Sequence, residues 1–190
     1  MMRIVTGSAK GIRLCTLEGD NTRPTSERVK EAIFSSIQFE LAGRRVLDLF
    51  AGSGQMGLEA LSRGAECAMF IDNSREAMAV VKENARKTGF FDRCRYLVSD
   101  YRSYLRKAAG KDRWSLIFID PPYEPSRVAD ALSRILEAGL AEKGCLIVCE
   151  SGDGDVFSGN DALRAQFDVL KEARYSVSYV TVLIYRGSEL

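Results

Sequence analysis

Beyond residue 43, the chain alternates short apolar segments with longer amphipathic ones, and this alternation strongly limits the folds open to it. The apolar segments have the length of buried strands, and the amphipathic segments have helical spacing. A helix between two strands is the connection that parallel pairing requires. The sequence therefore predicts an α/β fold with a doubly wound, mainly parallel sheet. Its first five predicted strands are 44–50, 67–72, 94–100, 114–123 and 144–151.

The two ends of the chain depart from this alternation. Residues 167–175 and 176–186 are β-like segments joined by a tight turn, so they must pair antiparallel, and they complete a seven-stranded sheet. Residues 3–14 predict a small β-hairpin around a glycine-rich turn, and a helix begins near Arg23. We therefore expect two units, an N-terminal hairpin and helix over residues 1–43 and an α/β domain over residues 44–190.

The first predicted strand runs into a glycine-rich loop with the sequence VLDLFAGSGQMG. Gly52, Gly54 and Gly57 form a literal G-x-G-x-x-G, and Asp72 follows 20 positions after Gly52. This pattern is the fingerprint of dinucleotide binding, in which the loop approaches a pyrophosphate and the acid binds a ribose. The pattern by itself leaves open whether the ligand is NAD or another nucleoside cofactor.

Four of the predicted strands carry an aspartate at or near their carboxyl ends: Asp48, Asp72, Asp100 and Asp120. Doubly wound sheets bind their ligands at these carboxyl ends. A carboxylate beside the two phosphates of NAD is unfavourable in a partly dry cleft, whereas the sulfonium and ammonium groups of S-adenosylmethionine suit it. We expect Asp48 to bind the ammonium, Asp72 the ribose hydroxyls and Asp100 the adenine amino group. Taken singly, each acid is equally typical of a helix cap or a surface turn.

The fourth predicted strand ends in the segment Asp120-Pro121-Pro122-Tyr123. Proline lacks an N–H and fixes φ, so this loop presents carbonyl oxygens. Asp120 and the Pro121 carbonyl can both accept hydrogens from one exocyclic amine and aim its lone pair at a methyl group, while Tyr123 offers a stacking face. The chain contains no histidine, the commonest general base, and this chemistry needs none. A proline turn that merely ends a strand is the alternative.

The N-terminal region carries an excess of positive charge. Residues 1–30 contain six basic and three acidic residues, a local balance of +3, whereas the whole chain has a net charge of +1. Such a patch can contact phosphates, although a solvated surface fits the charge count equally well. The candidate RNA-binding residues are Arg3, Lys10, Arg13, Arg23 and Arg28. Arg23 and Arg28 either close over a cofactor or contact RNA phosphates, and solvated arginines beside a helix cap at Thr25 are an equal alternative.

Over nearly its whole length, the chain resembles the RsmD-type 16S rRNA guanine-N2 methyltransferases. The resemblance lies in the segments VLDLFAGSGQMGLEALSRGA and FIDPPY and in the N-terminal pair RIVTGSAKGIRL and RPTSERVKEAIFSSI. It implies a Rossmann-like, S-adenosylmethionine-dependent methyltransferase fold and transfer of methyl to the 2-amino group of one guanine in small-subunit rRNA. It also implies that the N-terminal hairpin and helix face RNA.

The residues expected at the site follow from the motifs and this resemblance together. We expect the catalytic segment to comprise Asp120, Pro121, Pro122 and Tyr123. We expect the cofactor site to comprise Asp48, Phe50, Gly52, Ser53, Gly54, Asp72, Asn73, Asp100 and Tyr101. No metal is expected.

Two other functions remain open from the sequence. The same acceptor pair would serve methylation of adenine N6 or of a protein glutamine, and the literal glycine pattern fits an NAD-dependent oxidoreductase or a nucleotide-binding module. The chain has no run of 18 apolar residues and no signal-peptide pattern, so we expect a cytoplasmic protein without a membrane partner. The expected partner is 16S rRNA, within an assembling small ribosomal subunit, and nothing demands more than a monomer.

Overall fold

The computed structural model describes residues 2–17, 27–122, 126–152, 154–176 and 178–187. Seven strands form one sheet in the order β3-β2-β1-β4-β5-β7-β6. Strands β1 to β5 are parallel, and β7 pairs antiparallel with both β5 and β6, as the sequence predicts. The strands are β1 Arg45–Asp48, β2 Cys67–Asp72, β3 Cys94–Val98, β4 Trp114–Ile119, β5 Ala141–Ser151, β6 Phe167–Tyr175 and β7 Ser178–Tyr185.

Helices cover both faces of this sheet. The helices are α1 Glu27–Ser36, α2 Gln55–Ser62, α3 Arg75–Lys87, α4 Tyr101–Ala108, α5 Arg127–Glu137 and α6 Asp161–Arg164. One buried cluster joins α1, α2, α3 and the N-terminal segment to one face of the sheet, and a second joins α4, α5 and α6 to the other. In the described ranges, no helix has the length and apolar composition that crossing a bilayer requires.

Several element boundaries differ from the sequence predictions for identifiable reasons. The predicted first strand extends to residue 50, but β1 ends at Asp48 because the chain turns into the glycine loop. Helix α2 begins at Gln55, directly after Gly54, which has φ +78°. Strand β4 ends at Ile119, before the two prolines, which cannot donate to a sheet.

The N-terminal hairpin forms with little regular strand. Arg3 and Arg13 make an isolated antiparallel bridge, and the N–H groups of Ile4 and Leu14 donate to the carbonyls of Ile12 and Met2 at 2.9 and 3.0 Å. Ile4 is fully buried in the same cluster that contains α1 and the sheet. The hairpin therefore shares the core of the α/β domain, and a division of the chain at residue 43 stays a prediction.

Candidate active site

The four strand-end aspartates lie along one edge of the sheet. Asp48 and Asp72 are the last residues of β1 and β2, Asp120 directly follows β4, and Asp100 is two residues beyond β3. Strands β3, β2, β1 and β4 are neighbours in this order and run parallel, so the four acids occupy adjacent positions at the carboxyl edge. The predicted clustering is confirmed. Their roles toward a ligand stay predictions.

Asp48 is the most deeply placed of these acids. Its side chain is 3% exposed, and Oδ2 accepts a hydrogen bond from the Gly57 N–H at 3.1 Å, in the first turn of α2. Burial raises the pKa of this carboxyl group from its ordinary 3.8 to about 7, the Gly57 hydrogen bond opposes that rise, and the nearby charge of Asp72 adds to it. Asp48 therefore carries a poorly solvated charge that a cation would stabilise.

The three glycines of the loop serve different purposes. Gly52 has φ +53°, and a Cβ there would meet no atom within 4 Å, so its surface is open to a ligand. Gly54 has φ +78°, and a Cβ there would approach the Val81 side chain at 3.1 Å. At Gly57, a Cβ would lie 2.5 Å from the Phe70 ring, so this glycine allows α2 to pack closely against β2.

Asp72 connects the glycine loop to the start of α3. Its Oδ2 accepts from the Gly52 N–H and its Oδ1 from the Ser74 N–H, both at 2.8 Å. Ser74 in turn caps α3, with its side chain accepting from the Ala77 N–H at 3.1 Å. Each carboxylate oxygen retains a second lone pair, so Asp72 can also accept from ligand hydroxyls.

The end of β3 and the start of α4 supply the outer part of the candidate cofactor site. Asp100 is exposed and caps α4 by accepting from the Ser103 N–H at 2.9 Å, and this bond lowers its pKa. The rings of Phe50 and Tyr101 are in contact, with centroids 5.1 Å apart. Asn73 is exposed next to Asp72. The structure thus brings Phe50 and Tyr101 together, and Asp100 is a helix cap whatever else it binds.

The predicted catalytic segment follows β4 directly. Asp120 is partly buried, Pro121 is buried, and Pro122 is exposed. Tyr123 lies outside the described residues, so its stacking role stays a prediction. Asp48 pairs with Phe118 across β1 and β4, and Asp120 lies two residues after Phe118, directly beyond the end of β4. The oxygens that are candidates to bind the substrate amine therefore follow β4, which is the neighbour of the strand that carries Asp48.

The N-terminal segment that carries Arg3 and Lys10 runs along α2. The Ser53 hydroxyl contacts the Met2 sulfur at 3.1 Å near the start of this helix, whereas the Ser62 carbonyl at its end accepts from the Ser8 N–H at 2.8 Å. A helix of this length spans about 10 Å, so the hairpin turn with Lys10 lies that much farther from the carboxyl edge.

The other predicted RNA contacts have mixed environments. Arg3, Arg13 and Arg28 are exposed, and Arg3 forms an ion pair with Glu27 at 3.2 Å. Arg23 lies outside the part of the chain that the structure describes. Binding of RNA by these residues and by Lys10 stays a prediction.

A buried carboxylate that the sequence analysis missed fixes the hairpin onto α2. Glu59 is fully buried and accepts from the N–H groups of Val5 and Thr6 at 2.8 and 3.0 Å and from Arg63 at 2.8 Å. The Lys30 ammonium, also fully buried, lies 3.7 Å from it, and burial lowers the pKa of this lysine. Glu59 therefore ties the N-terminal segment and α1 to the helix that follows the glycine loop.

Asn84 on α3 is a second residue that the sequence analysis missed. Its buried amide accepts from the Cys15 N–H at 2.7 Å and donates to the carbonyls of Cys15 and Ser53 at 3.0 and 2.9 Å. It therefore holds the N-terminal segment and the glycine loop at once. A signal was present, because Asn84 falls on the apolar face of α3 with Val81 and Ala85.

Comparison with known proteins identifies the family. The family model described as "Conserved hypothetical protein 95" matches residues 2–183. The chain is 39% identical over 150 residues to "Putative rRNA methyltransferase YlbH" of Bacillus subtilis (strain 168), covering 78% of this chain and 82% of that protein. It is 29% identical over 173 residues to "Ribosomal RNA small subunit methyltransferase D" of Escherichia coli (strain K12), covering 90% and 83%.

The fold agrees with that assignment. The solved structure titled "Putative methyltransferase yhhF from Escherichia coli" superposes with a TM-score of 0.86 and 27% sequence identity, covering 98% of this chain and 99% of that one. The strand order, the glycine loop and the acidic edge described above thus occur in a Rossmann-like methyltransferase fold. The chain belongs to the family described as Conserved hypothetical protein 95, the RsmD family.

Proposed function

We propose that this protein transfers a methyl group from S-adenosylmethionine to the exocyclic 2-amino group of a guanine in small-subunit rRNA. The observation that carries the proposal furthest is the position of Asp48. Its buried carboxylate occupies the N-terminal end of α2 by accepting from the Gly57 N–H. In dinucleotide-binding folds, a helix N-terminus in this place binds the pyrophosphate. A phosphate would have to displace the carboxylate or lie against it, so this end of the sheet favours a cationic ligand.

The remaining residues of the edge suit the other parts of such a cofactor. Asp48 would hold the ammonium group, the open surface of Gly52 would allow close approach, and Asp72 would accept the ribose hydroxyls. Asp100 and Tyr101 would bind the adenine. When bound, S-adenosylmethionine supplies an electrophilic methyl group and leaves as a neutral thioether.

The acceptor amine would be held by Asp120 and the carbonyl of Pro121. An exocyclic guanine amine is a weak nucleophile because its lone pair is delocalised into the ring. Two acceptors that bind its hydrogens favour a tetrahedral nitrogen and orient the lone pair. The nitrogen gains positive charge as the new bond forms, and its surplus proton passes to Asp120 or to water. The target base must be unpaired or flipped out to reach this segment.

The choice of rRNA as substrate rests on the relatives. Two of them are named as rRNA methyltransferases, one of these as a small-subunit enzyme. Guanine N2 as the acceptor atom and the cytoplasm as the location follow from the resemblance and remain part of the proposal. The same applies to an assembling ribonucleoprotein as substrate and to a monomeric enzyme.

A methyl-transfer assay with separate acceptors tests the proposal. The protein and S-adenosylmethionine with a labelled methyl group are incubated with small-subunit RNA, large-subunit RNA, DNA or ribosomal protein, and the product is digested and identified. We expect label in N2-methylguanosine from small-subunit RNA. Asp120→Asn should reduce transfer by at least about 100-fold while S-adenosylhomocysteine still binds. Asp168→Asn, at an exposed acid paired with Arg186, is the control. Label in N6-methyladenosine or methylglutamine would contradict the proposed acceptor.

A further inference from the structure

Two arginines on neighbouring helices share one carboxylate beside the candidate active site. The Oδ2 atom of Asp130 on α5 accepts from Arg102 Nε of α4 at 3.1 Å and from Arg134 Nε of α5 at 2.9 Å. The Tyr101 hydroxyl donates to the same oxygen at 2.7 Å. Because both Nε atoms contact one oxygen, they are at most about 6 Å apart. The two guanidinium groups are therefore held side by side.

The bonds to Asp130 leave the outer halves of both guanidinium groups available. Among the described residues, both arginines bond Asp130 through Nε, so the Nη groups can donate to another acceptor. The side chains of Arg102 and Arg134 are 58% and 41% exposed. The Arg102 guanidinium also lies over the Tyr101 ring, 5.5 Å from its centroid, which further restricts its orientation. The pair is thus accessible and oriented in advance.

The location of the pair connects it with the site. Tyr101 begins α4 at the carboxyl edge of the sheet and contacts Phe50 beyond the first strand. Helix α5 is the first helix after the catalytic segment, and Asp130 lies in its first turn. Arg106 is exposed one turn after Arg102 and adds positive charge to the same helix. A substrate that reaches Asp120 would therefore pass close to this pair.

We propose that Arg102 and Arg134 form a clamp for a backbone phosphate of the RNA substrate, an inference that rests on the proposed function. Two fixed guanidinium groups present several N–H donors in the geometry that phosphate oxygens accept. S-Adenosylmethionine carries no phosphate, so a phosphate held at this clamp comes from the substrate. The clamp lies at the rim of the site, unlike the hairpin turn with Lys10, and it would fix the backbone near the target nucleotide.

Single substitutions with a matched control test this clamp. The variants are Arg102→Gln and Arg134→Gln, and the control is Arg95→Gln. Arg95 forms a similar exposed ion pair, with Asp112 at 3.1 Å. It lies near the amino end of β3, away from the carboxyl ends of the strands where the site is. The dissociation constant for a small-subunit rRNA fragment is measured between 50 and 300 mM salt. Binding of S-adenosylhomocysteine is measured in parallel.

We expect each clamp variant to weaken RNA binding about tenfold and to reduce the slope of log affinity against log salt by about one. Affinity for S-adenosylhomocysteine should stay within about twofold, and Arg95→Gln should match the wild type. Arg102→Lys keeps the positive charge but loses the planar guanidinium group with its several N–H donors. We therefore expect an RNA affinity between those of the wild type and Arg102→Gln. This variant also separates a lost phosphate contact from a local packing defect, because Arg102→Gln and Arg102→Lys both remove the Nε donor to Asp130.

Three results would overturn the clamp. The first is unchanged RNA affinity and salt slope in both glutamine variants. The second is a loss of S-adenosylhomocysteine affinity as large as the loss of RNA affinity. The third is binding of inorganic phosphate at the two arginines that does not compete with RNA. The first result would mean that the arginine pair is only a structural contact. The second would mean that the pair supports Tyr101 in the cofactor site, and the third that it binds free phosphate. Wild-type protein that binds RNA through these arginines but transfers no methyl group would refute the proposed function and leave the clamp standing.

Discussion

The Asp48 carboxylate on β1 accepts a hydrogen bond from the Gly57 N–H at 3.1 Å, so an acid from the neighbouring strand caps the helix that follows the glycine loop. Gly54, which directly precedes that helix, has no side chain for this task. The Asp48 carboxyl group is buried, and burial raises its pKa to about 7. A group that is costly to ionise has been kept at the centre of the site, which is typical of residues that bind or react.

The first prediction concerns the stability cost of Asp48. Its pKa is raised from 3.8 to about 7 on folding, so the native state binds more protons than the unfolded state between these values. This group therefore lowers stability as pH rises from about 4 to 7. Asp48→Asn removes the charge and keeps an acceptor for Gly57. We expect it to raise the free energy of unfolding at pH 8 by about 3 kcal/mol, and by much less at pH 4.5, in urea denaturation.

An exposed acid supplies the comparison for this substitution. Asp168→Asn, on the surface strand β6, should change the free energy of unfolding by less than about 1 kcal/mol at both pH values. If Asp48→Asn lowered stability at pH 8, the carboxylate would have to be stabilised by its surroundings, and the argument for a desolvated charge would fail.

The second prediction concerns the pH dependence of cofactor binding. A cationic ligand group binds the ionised form of Asp48, which is the minor form below pH 7. The dissociation constant of S-adenosylhomocysteine, which keeps the ammonium group, should therefore rise up to about tenfold for each pH unit below 7. Calorimetry at pH 6 in buffers of different ionisation enthalpy should show release of nearly one proton per ligand bound. Asp48→Asn should bind weakly and release none, and an unchanged affinity between pH 5.5 and 8 would argue against this contact.

The third prediction compares two glycines of the N-terminal hairpin. Gly7 and Gly11 have similar positive φ values, +89° and +86°, but a Cβ at Gly7 would lie 1.9 Å from the Ser62 carbonyl oxygen, while one at Gly11 would meet nothing. Both alanine variants incur the left-handed backbone cost of about 1–2 kcal/mol. Gly7→Ala must also move the hairpin away from α2, so we expect a loss above about 3 kcal/mol. Equal denaturation midpoints would mean that the hairpin is loosely attached.

The fourth prediction concerns Asn84 and the glycine loop. Asn84→Ala removes the donor to the Ser53 carbonyl and leaves buried backbone groups without partners. We expect a loss of stability of about 2–4 kcal/mol and S-adenosylhomocysteine binding at least about tenfold weaker at a temperature where the variant is folded. Thr88→Ala, at the C-terminal cap of the same helix, should cost about 1 kcal/mol and leave binding unchanged. If the two variants affected S-adenosylhomocysteine binding equally, Asn84 would have no specific role in holding the glycine loop.

The sequence predicts those parts of the site that depend on local patterns. The positions of the acids at the strand ends follow from the alternation of strands and helices. The contact between Phe50 and Tyr101 needs the fold, because the two residues are 51 positions apart in the chain.

Long-range polar contacts explain what the sequence analysis missed. Asn84 and Asp130 bind groups far away in the chain, and no local pattern indicates their partners. The sequence also suggests that residues 1–43 are an appendage, whereas Glu59 and the shared core place the hairpin against α2. The glycine pattern matches dinucleotide folds in its letters, and only the bond from Gly57 to Asp48 shows how its helix terminus is occupied.

Competition between cofactors tests the central claim most directly. The protein is titrated calorimetrically at pH 8 with S-adenosylmethionine, S-adenosylhomocysteine and NAD, each in the presence and absence of the others. We predict that the two sulfur compounds compete for one site with micromolar dissociation constants, that NAD does not bind, and that Asp48→Asn weakens the binding of both sulfur compounds. Tight binding of NAD at a site from which S-adenosylhomocysteine cannot displace it would contradict the account.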